Sequence, residues 1–185
     1  CADLGGANVL DWNRGYNGGV TAPIVQLAWK AGSPATGYFC VTASDADIQA
    51  PTTADDDDAI FNDADDRFEI RLTPSNAATN EASMIMAVNP AATPAKWDAK
   101  VISGVETKAN DFTMSCAKSG SWSVFCSFNF DFTIADNQLG LIQALFGDRD
   151  AATAFVYRIL GGTAPGGLNT PANYKVIQYS STALP

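Results

Sequence analysis

The chain contains no histidine. That removes the side chain most often used as a general base near neutral pH and the imidazole most often used to hold a transition metal. A hydrolase built on a serine and a histidine is therefore excluded. Basic side chains are scarce as well: eleven lysines and arginines stand against twenty aspartates and glutamates, a formal net charge of -9. Such a surface repels a phosphate backbone or an anionic lipid surface, so neither nucleic acid nor a bare membrane is expected as a partner. No apolar run approaches the roughly 20 residues that a membrane-spanning helix needs. Cysteine is limited to positions 1, 40, 116 and 126, with no C-x-x-C pair to suggest zinc or redox chemistry.

What remains is the composition of a packed globular protein: 46% of the residues are hydrophobic and 17% charged, so a core can form without a large solvated tail. At 185 residues one domain is expected. The dominant pattern is alternation. Trp122, Val124, Cys126, Phe128, Phe130, Phe132 and Ile134 occupy every second position, with Ser123, Ser127, Asn129, Asp131 and Thr133 between them. A strand sends successive side chains to opposite faces, so this segment has one apolar and one mostly polar face. Phe125 alone breaks the rhythm.

Comparable short runs at 24–30, 37–43, 67–72, 83–88, 111–116, 140–146, 154–160 and 174–179 bring the expected strands to about nine. Gly, Pro, Asn, Asp and Ser clusters separate them, as turns require. The fold class expected is therefore all-β: a two-sheet antiparallel β-sandwich, immunoglobulin- or jelly-roll-like in general form. Residues 1–23, rich in Gly and Asn, are expected to pack on its edge as an N-terminal extension, with 24–185 forming the sandwich.

Four cysteines without metal spacing read most simply as disulfides. Cys116 and Cys126 flank the turn-prone Ala117-Lys118-Ser119-Gly120-Ser121 and can face one another across a hairpin. Cys40 then bonds Cys1, or stays a buried thiol if Cys1 is instead lipidated. A cysteine at position 1 is where a bacterial lipoprotein begins after its signal peptide is removed. Either outcome implies an extracytoplasmic location, secreted, periplasmic or at the cell surface.

Three stretches, taken in order, resemble a family 9 carbohydrate-binding module, a sandwich related to the DOMON group. The first is Val25-Gln26-Leu27-Ala28-Trp29 with Tyr38-Phe39-Cys40-Val41-Thr42-Ala43-Ser44-Asp45. The second is Asp63-Ala64-Asp65-Asp66-Arg67-Phe68-Glu69-Ile70-Arg71-Leu72. The third joins 122–132, Leu139-Gly140-Leu141-Ile142-Gln143-Ala144-Leu145-Phe146 with Asp148 and Asp150, and Asn173-Tyr174-Lys175-Val176-Ile177. The resemblance covers about 150 residues and implies a non-catalytic module that binds a glycan through the loop end of a sandwich. Sugar-binding members hold a sugar between two tryptophans; the nearest positions here carry Phe61 and Leu168, and leucine offers no flat ring for the apolar face of a sugar. An alternative role is a structural or accessory subunit of a surface or membrane-associated assembly, attached through Cys1.

Several residues remain as candidates. Trp97, read as lying in the loop Pro94-Ala95-Lys96-Trp97-Asp98, is the best exposed stacking surface, whereas Trp29 and Trp122 read as core. The acidic run from Asp55 to Asp58, continued by Asp63, Asp65 and Asp66, could supply oxygen ligands to calcium, with Asp55, Asp57, Asp63 and Asp65 as first choices. Calcium sites in the family point the same way, although the spacing is not that of an EF-hand. Asp148 and Asp150, two apart, form a poor acid and nucleophile pair for glycoside hydrolysis. Met84, Met86 and Met114 keep open the haem that some DOMON-like proteins bind, but core packing explains them more simply.

Overall fold

The computed structural model of the chain describes residues 15–16, 24–43, 66–77, 83–89, 96–102, 113–118, 123–148, 156–160 and 174–180; at 15–16, 83, 96–102, 148 and 156–160 it describes the backbone. They form eleven strands: β1 (Gly15–Tyr16), β2 (Ile24–Lys30), β3 (Thr36–Thr42), β4 (Arg67–Leu72), β5 (Ser83–Asn89), β6 (Lys96–Ile102), β7 (Met114–Lys118), β8 (Ser123–Asn129), β9 (Gln138–Asp148), β10 (Val156–Leu160) and β11 (Lys175–Tyr179). The larger sheet runs β1-β10-β9-β4-β5-β6, with β11 also paired to β9, and the smaller runs β2-β3-β8-β7. All pairings are antiparallel. The expected sandwich is thus present.

The core lies between the two sheets. Val25 of β2, Phe39 and Val41 of β3 and Val124, Cys126 and Phe128 of β8 meet Phe68, Ile70 and Leu72 of β4, Met84, Met86 and Val88 of β5 and Ile142, Ala144 and Phe146 of β9. Phe39 touches Phe68 across the gap at 5.7 Å between ring centroids and Phe128 on the neighbouring strand at 6.2 Å. Each such phenylalanine contributes about 1.5–3 kcal/mol by leaving water. Gly37 makes this packing possible: a Cβ there would lie 2.2 Å from Phe128 Cζ, so the ring occupies the space a side chain would need. Met84, Met86 and Met114 are all core residues, as packing predicts.

In β8 the alternation survives intact, with Val124, Cys126 and Phe128 buried and Ser123, Phe125, Ser127 and Asn129 half-buried on the opposite face. The strand ends sooner than its rhythm suggests. Phe130 leaves the ladder to donate its N–H to the Ala35 carbonyl at 2.9 Å, yet it stays in the core against Phe128 and Tyr179.

Cys116 and Cys126 stand opposite one another in the β7–β8 register and are disulfide-bonded, as the hairpin argument required. Cys40 is also in a disulfide, with a partner outside the described residues, which removes the buried-thiol alternative. Trp97 calls for a correction: it lies within β6, opposite Val88, and not in a loop. Charges interrupt the apolar positions of the run Lys-Trp-Asp-Ala-Lys-Val-Ile and hide its strand character, a pattern that a strand at the edge of a sheet tolerates.

The larger sheet departs from the expected sandwich in one respect. A sheet in a two-layer sandwich buries one face and offers the other to water. Here β4 is buried on both faces. So are Ile85, Ala87 and Asn89 of β5 and Leu141, Gln143 and Leu145 of β9, all on the side away from the core. The uninterrupted apolar runs Met84-Ile85-Met86-Ala87-Val88 and Ala144-Leu145-Phe146 suit strands covered on both sides.

Candidate functional site

Alternation along β4 sorts its residues into two sets. Phe68, Ile70 and Leu72 enter the core, so Arg67, Glu69 and Arg71 project from the outer face of the larger sheet. They are not solvated there: Arg67 and Glu69 are 3% exposed and Arg71 7%. Glu69 Oε1 accepts from Arg71 Nε at 2.8 Å and from Arg71 Nη2 at 2.6 Å, while Oε2 accepts from Arg67 Nε at 3.4 Å. One carboxylate is thus gripped by two guanidiniums, a fork geometry that suits arginine better than lysine.

The neighbouring strands flank this row and extend it. Arg67 stands opposite Gly147 of β9 and Glu69 opposite Ala87 of β5, while the larger Leu145 of β9 and Ile85 of β5 stand opposite Glu69 and Arg71. Arg71 stands opposite Gln143 of β9. Gln143 is fully buried and has a polar partner, although its Oε1 accepts no hydrogen bond. Tyr174, immediately before β11, hydrogen-bonds Arg71 through its phenol and is itself buried. Beyond it the same face opens to solvent at Val176, 60% exposed, and Leu139, 43% exposed.

Burial governs the ionisation of this group. It pushes the Tyr174 phenol above its ordinary value, and the adjacent Arg71 charge only partly offsets that. Burial pulls the Arg71 guanidinium down, but Glu69 and Tyr174 pull it up by more, leaving a net rise. Arg71 therefore stays charged and Tyr174 stays a neutral phenol through the physiological range. The result is an enclosed polar patch carrying fixed guanidinium donors, a carboxylate acceptor, an amide and a phenol. Such a set matches the paired hydroxyls of a sugar, which donate and accept at once. It contains no activated nucleophile.

The residues expected from sequence are distributed unevenly about this patch. Phe61, Leu168, the acidic positions Asp55, Asp57, Asp63 and Asp65, and Cys1 all lie outside the described residues. Trp97 is placed by its backbone in β6, two strands from β4. Trp29 packs against the core and donates its Nε1–H to the Ser180 carbonyl at 2.9 Å, as a structural tryptophan should. Asp148 ends β9, and Asp150 lies outside the described residues. The Arg67–Glu69–Arg71 row carries no site motif in the sequence, although all three residues fall in the second stretch of the family resemblance. An Arg-Phe-Glu-Ile-Arg-Leu alternation reads as an ordinary amphipathic strand with its charges in water. Its signal was the flanking strands, too apolar to have a solvated face.

No protein-family model and no curated protein matches the sequence. Solved structures do resemble the fold. A family 9 carbohydrate-binding module from Caldicellulosiruptor kristjanssonii in complex with glucose is 10% identical with a TM-score of 0.57, over 91% of this chain and 84% of that one. One from the same organism in complex with cellotriose is 9% identical with a TM-score of 0.59, over 89% of this chain and 79% of that one. A Bacteroides uniformis protein provisionally described as carbohydrate-binding is 12% identical with a TM-score of 0.53, over 85% and 79%. The protein has the β-sandwich fold of family 9 carbohydrate-binding modules.

Proposed function

We propose that the chain is a non-catalytic, extracytoplasmic carbohydrate-binding module that takes its sugar where the outer face of the larger sheet opens, beside Arg71 and Tyr174, with Glu69 and Arg67 holding Arg71 in place from the enclosed side. The observation that carries this reading is the enclosure of two arginines and a glutamate on the outer face of a sheet whose other face already supplies the core. Buried ion pairs are a poor source of stability, because desolvation consumes most of their attraction. A row of them on a face that could have stayed wet suits recognition better than folding. The shared fold with modules solved in complex with glucose and cellotriose supports the same conclusion.

Phe61 and Leu168 are the proposed apolar contacts, with Phe61 stacking on one face of the sugar ring; Trp97, in register with the core-facing Val88, belongs to the other side of the sheet. Asp55, Asp57, Asp63 and Asp65 are proposed to bind calcium and so order the acidic loop. The Cys116–Cys126 disulfide supports an oxidising, extracytoplasmic setting. Isothermal titration with glucose and cellotriose, followed by a glycan array, tests the reading. Binding should weaken about tenfold in Tyr174→Phe and in Phe61→Ala, and calcium should strengthen it. A folded protein that binds no sugar on the array overturns the proposal.

A further inference from the structure

Tyr174, Val176 and Gln178 occupy every second position where the outer face of the larger sheet opens, and Val176 and Gln178 stand opposite Leu141 and Leu139 of β9. Leu141 lies on the side away from the core, so these side chains share that side, whereas Ile177 and Tyr179 pack on the core. Burial falls off steeply along the row: Tyr174 is 8% exposed, Val176 is 60% exposed and Gln178 is exposed. The change comes at a seam in the sheet. Strand β10 pairs with β9 as far as Leu160 and Ala144, and β11 takes over at Lys175 and Ile142. Gln143, opposite Arg71, is where β9 passes from one partner strand to the next.

Among the described residues three large hydrophobic side chains are exposed, and two of them, Val176 and Leu139, are diagonal neighbours here. A single exposed hydrophobic residue is ordinary on a protein surface. A pair set beside a buried guanidinium and a buried phenol offers a ligand an apolar contact next to polar ones. Gln178 borders the pair. Its Nε2 donates to Asn137 Oδ1 at 3.2 Å, which orients the amide and leaves Oε1 as an acceptor. Two same-face residues of a strand lie about 7 Å apart, the span of a pyranose ring with one short substituent. Hydroxyls held at Arg71 and Tyr174 therefore carry the opposite substituent over Val176 and Leu139, with Gln178 beside it. A hydroxyl in that place gives up water for aliphatic carbon, and an ammonium gives up more. An acetamido group suits it: the methyl packs on the aliphatic pair and the amide N–H meets an acceptor.

We propose that the sugar taken at this opening is an N-acetylated amino sugar, whose acetamido methyl rests on Leu139 and Val176 and whose amide N–H donates to Gln178 Oε1. This rests on the carbohydrate reading above and narrows it to one substituent. The modules that share the fold were solved with glucose and cellotriose, neither of which carries such a group. The specificity device is thus this chain's own, made by side chains of β9 and β11 beyond the enclosed charges.

Isothermal titration of the full chain with N-acetylglucosamine, glucose and glucosamine tests the proposal. One buried methyl and one added hydrogen bond should make N-acetylglucosamine bind about tenfold more tightly than glucose. Glucosamine should bind more weakly than glucose, because its ammonium would sit on aliphatic carbon. The double variant Leu139→Ser with Val176→Ser changes two exposed side chains, so the fold is retained. It is expected to lose the preference for N-acetylglucosamine while glucose affinity stays as in the parent chain, and Gln178→Leu should lose part of it. In saturation-transfer NMR the acetyl methyl protons should receive the strongest transfer. Equal affinity for N-acetylglucosamine and glucose, or a preference that survives in the folded double variant, overturns the acetamido contact and leaves the carbohydrate reading standing. A folded parent chain that binds neither sugar, nor any other on a glycan array, overturns both.

Discussion

Replacing Glu69 by glutamine removes the anion that holds Arg67 and Arg71 on the outer face of β4. The carboxylate accepts from Arg71 at 2.6 and 2.8 Å and from Arg67 at 3.4 Å, with all three side chains less than a tenth exposed. At an effective dielectric constant of about 20, a unit charge pair at about 4 Å is worth about 4 kcal/mol. Removing one partner of such a group leaves buried charge uncompensated, at a net cost of about 3–5 kcal/mol. With a urea m-value of about 2 kcal/mol/M, the midpoint should fall by roughly 1.5–2.5 M. The triple variant Arg67→Met, Glu69→Met, Arg71→Met removes every charge at once and should return close to the parent midpoint, because desolvation no longer opposes burial. Salt between about 0.05 and 0.5 M should leave the Glu69→Gln deficit unchanged, since buried charges are screened little. A Glu69→Gln shift below about 0.5 M that also fades with salt would refute the enclosure of this row.

Other parts of the structure give independent predictions. Removing both Cys116 and Cys126 as alanines opens a link between residues 10 apart and should cost about 2.5–3 kcal/mol, read as a lower denaturation midpoint; a change below about 1 kcal/mol would contradict the bond. Gly37→Ala should cost about 1–3 kcal/mol by pressing on the Phe128 ring, and Phe128→Leu should relieve part of that loss. Strict additivity in that double-mutant cycle would contradict the close approach. Burial raises Tyr174 and Tyr179 above the ordinary phenol value of about 10. Their contribution to stability is therefore full below pH about 10 and is lost as pH rises toward the folded-state values. In a spectrophotometric titration, Tyr174→Phe and Tyr179→Phe should each remove absorbance that develops above the ordinary phenol range; loss of a component titrating near pH 10 would be the contrary result.

Much of this protein was written in the spacing of its residues, and some of it was not. Alternation in 123–129 set the two faces of β8, and the position of Cys116 and Cys126 around a turn set their pairing, because both depend on local geometry. Strand β6 was missed, and Trp97 with it, because its stability comes from pairing with β5, which no short window contains. Arg67, Glu69 and Arg71 show the limit most plainly. Their spacing assigned them to one side of β4, but a strand's period says only which side a residue occupies and never what lies over it. That those charges meet Gln143 and Tyr174 away from water, while Leu139 and Val176 stay exposed on the same side of the sheet, was decided by contacts between residues far apart in the chain.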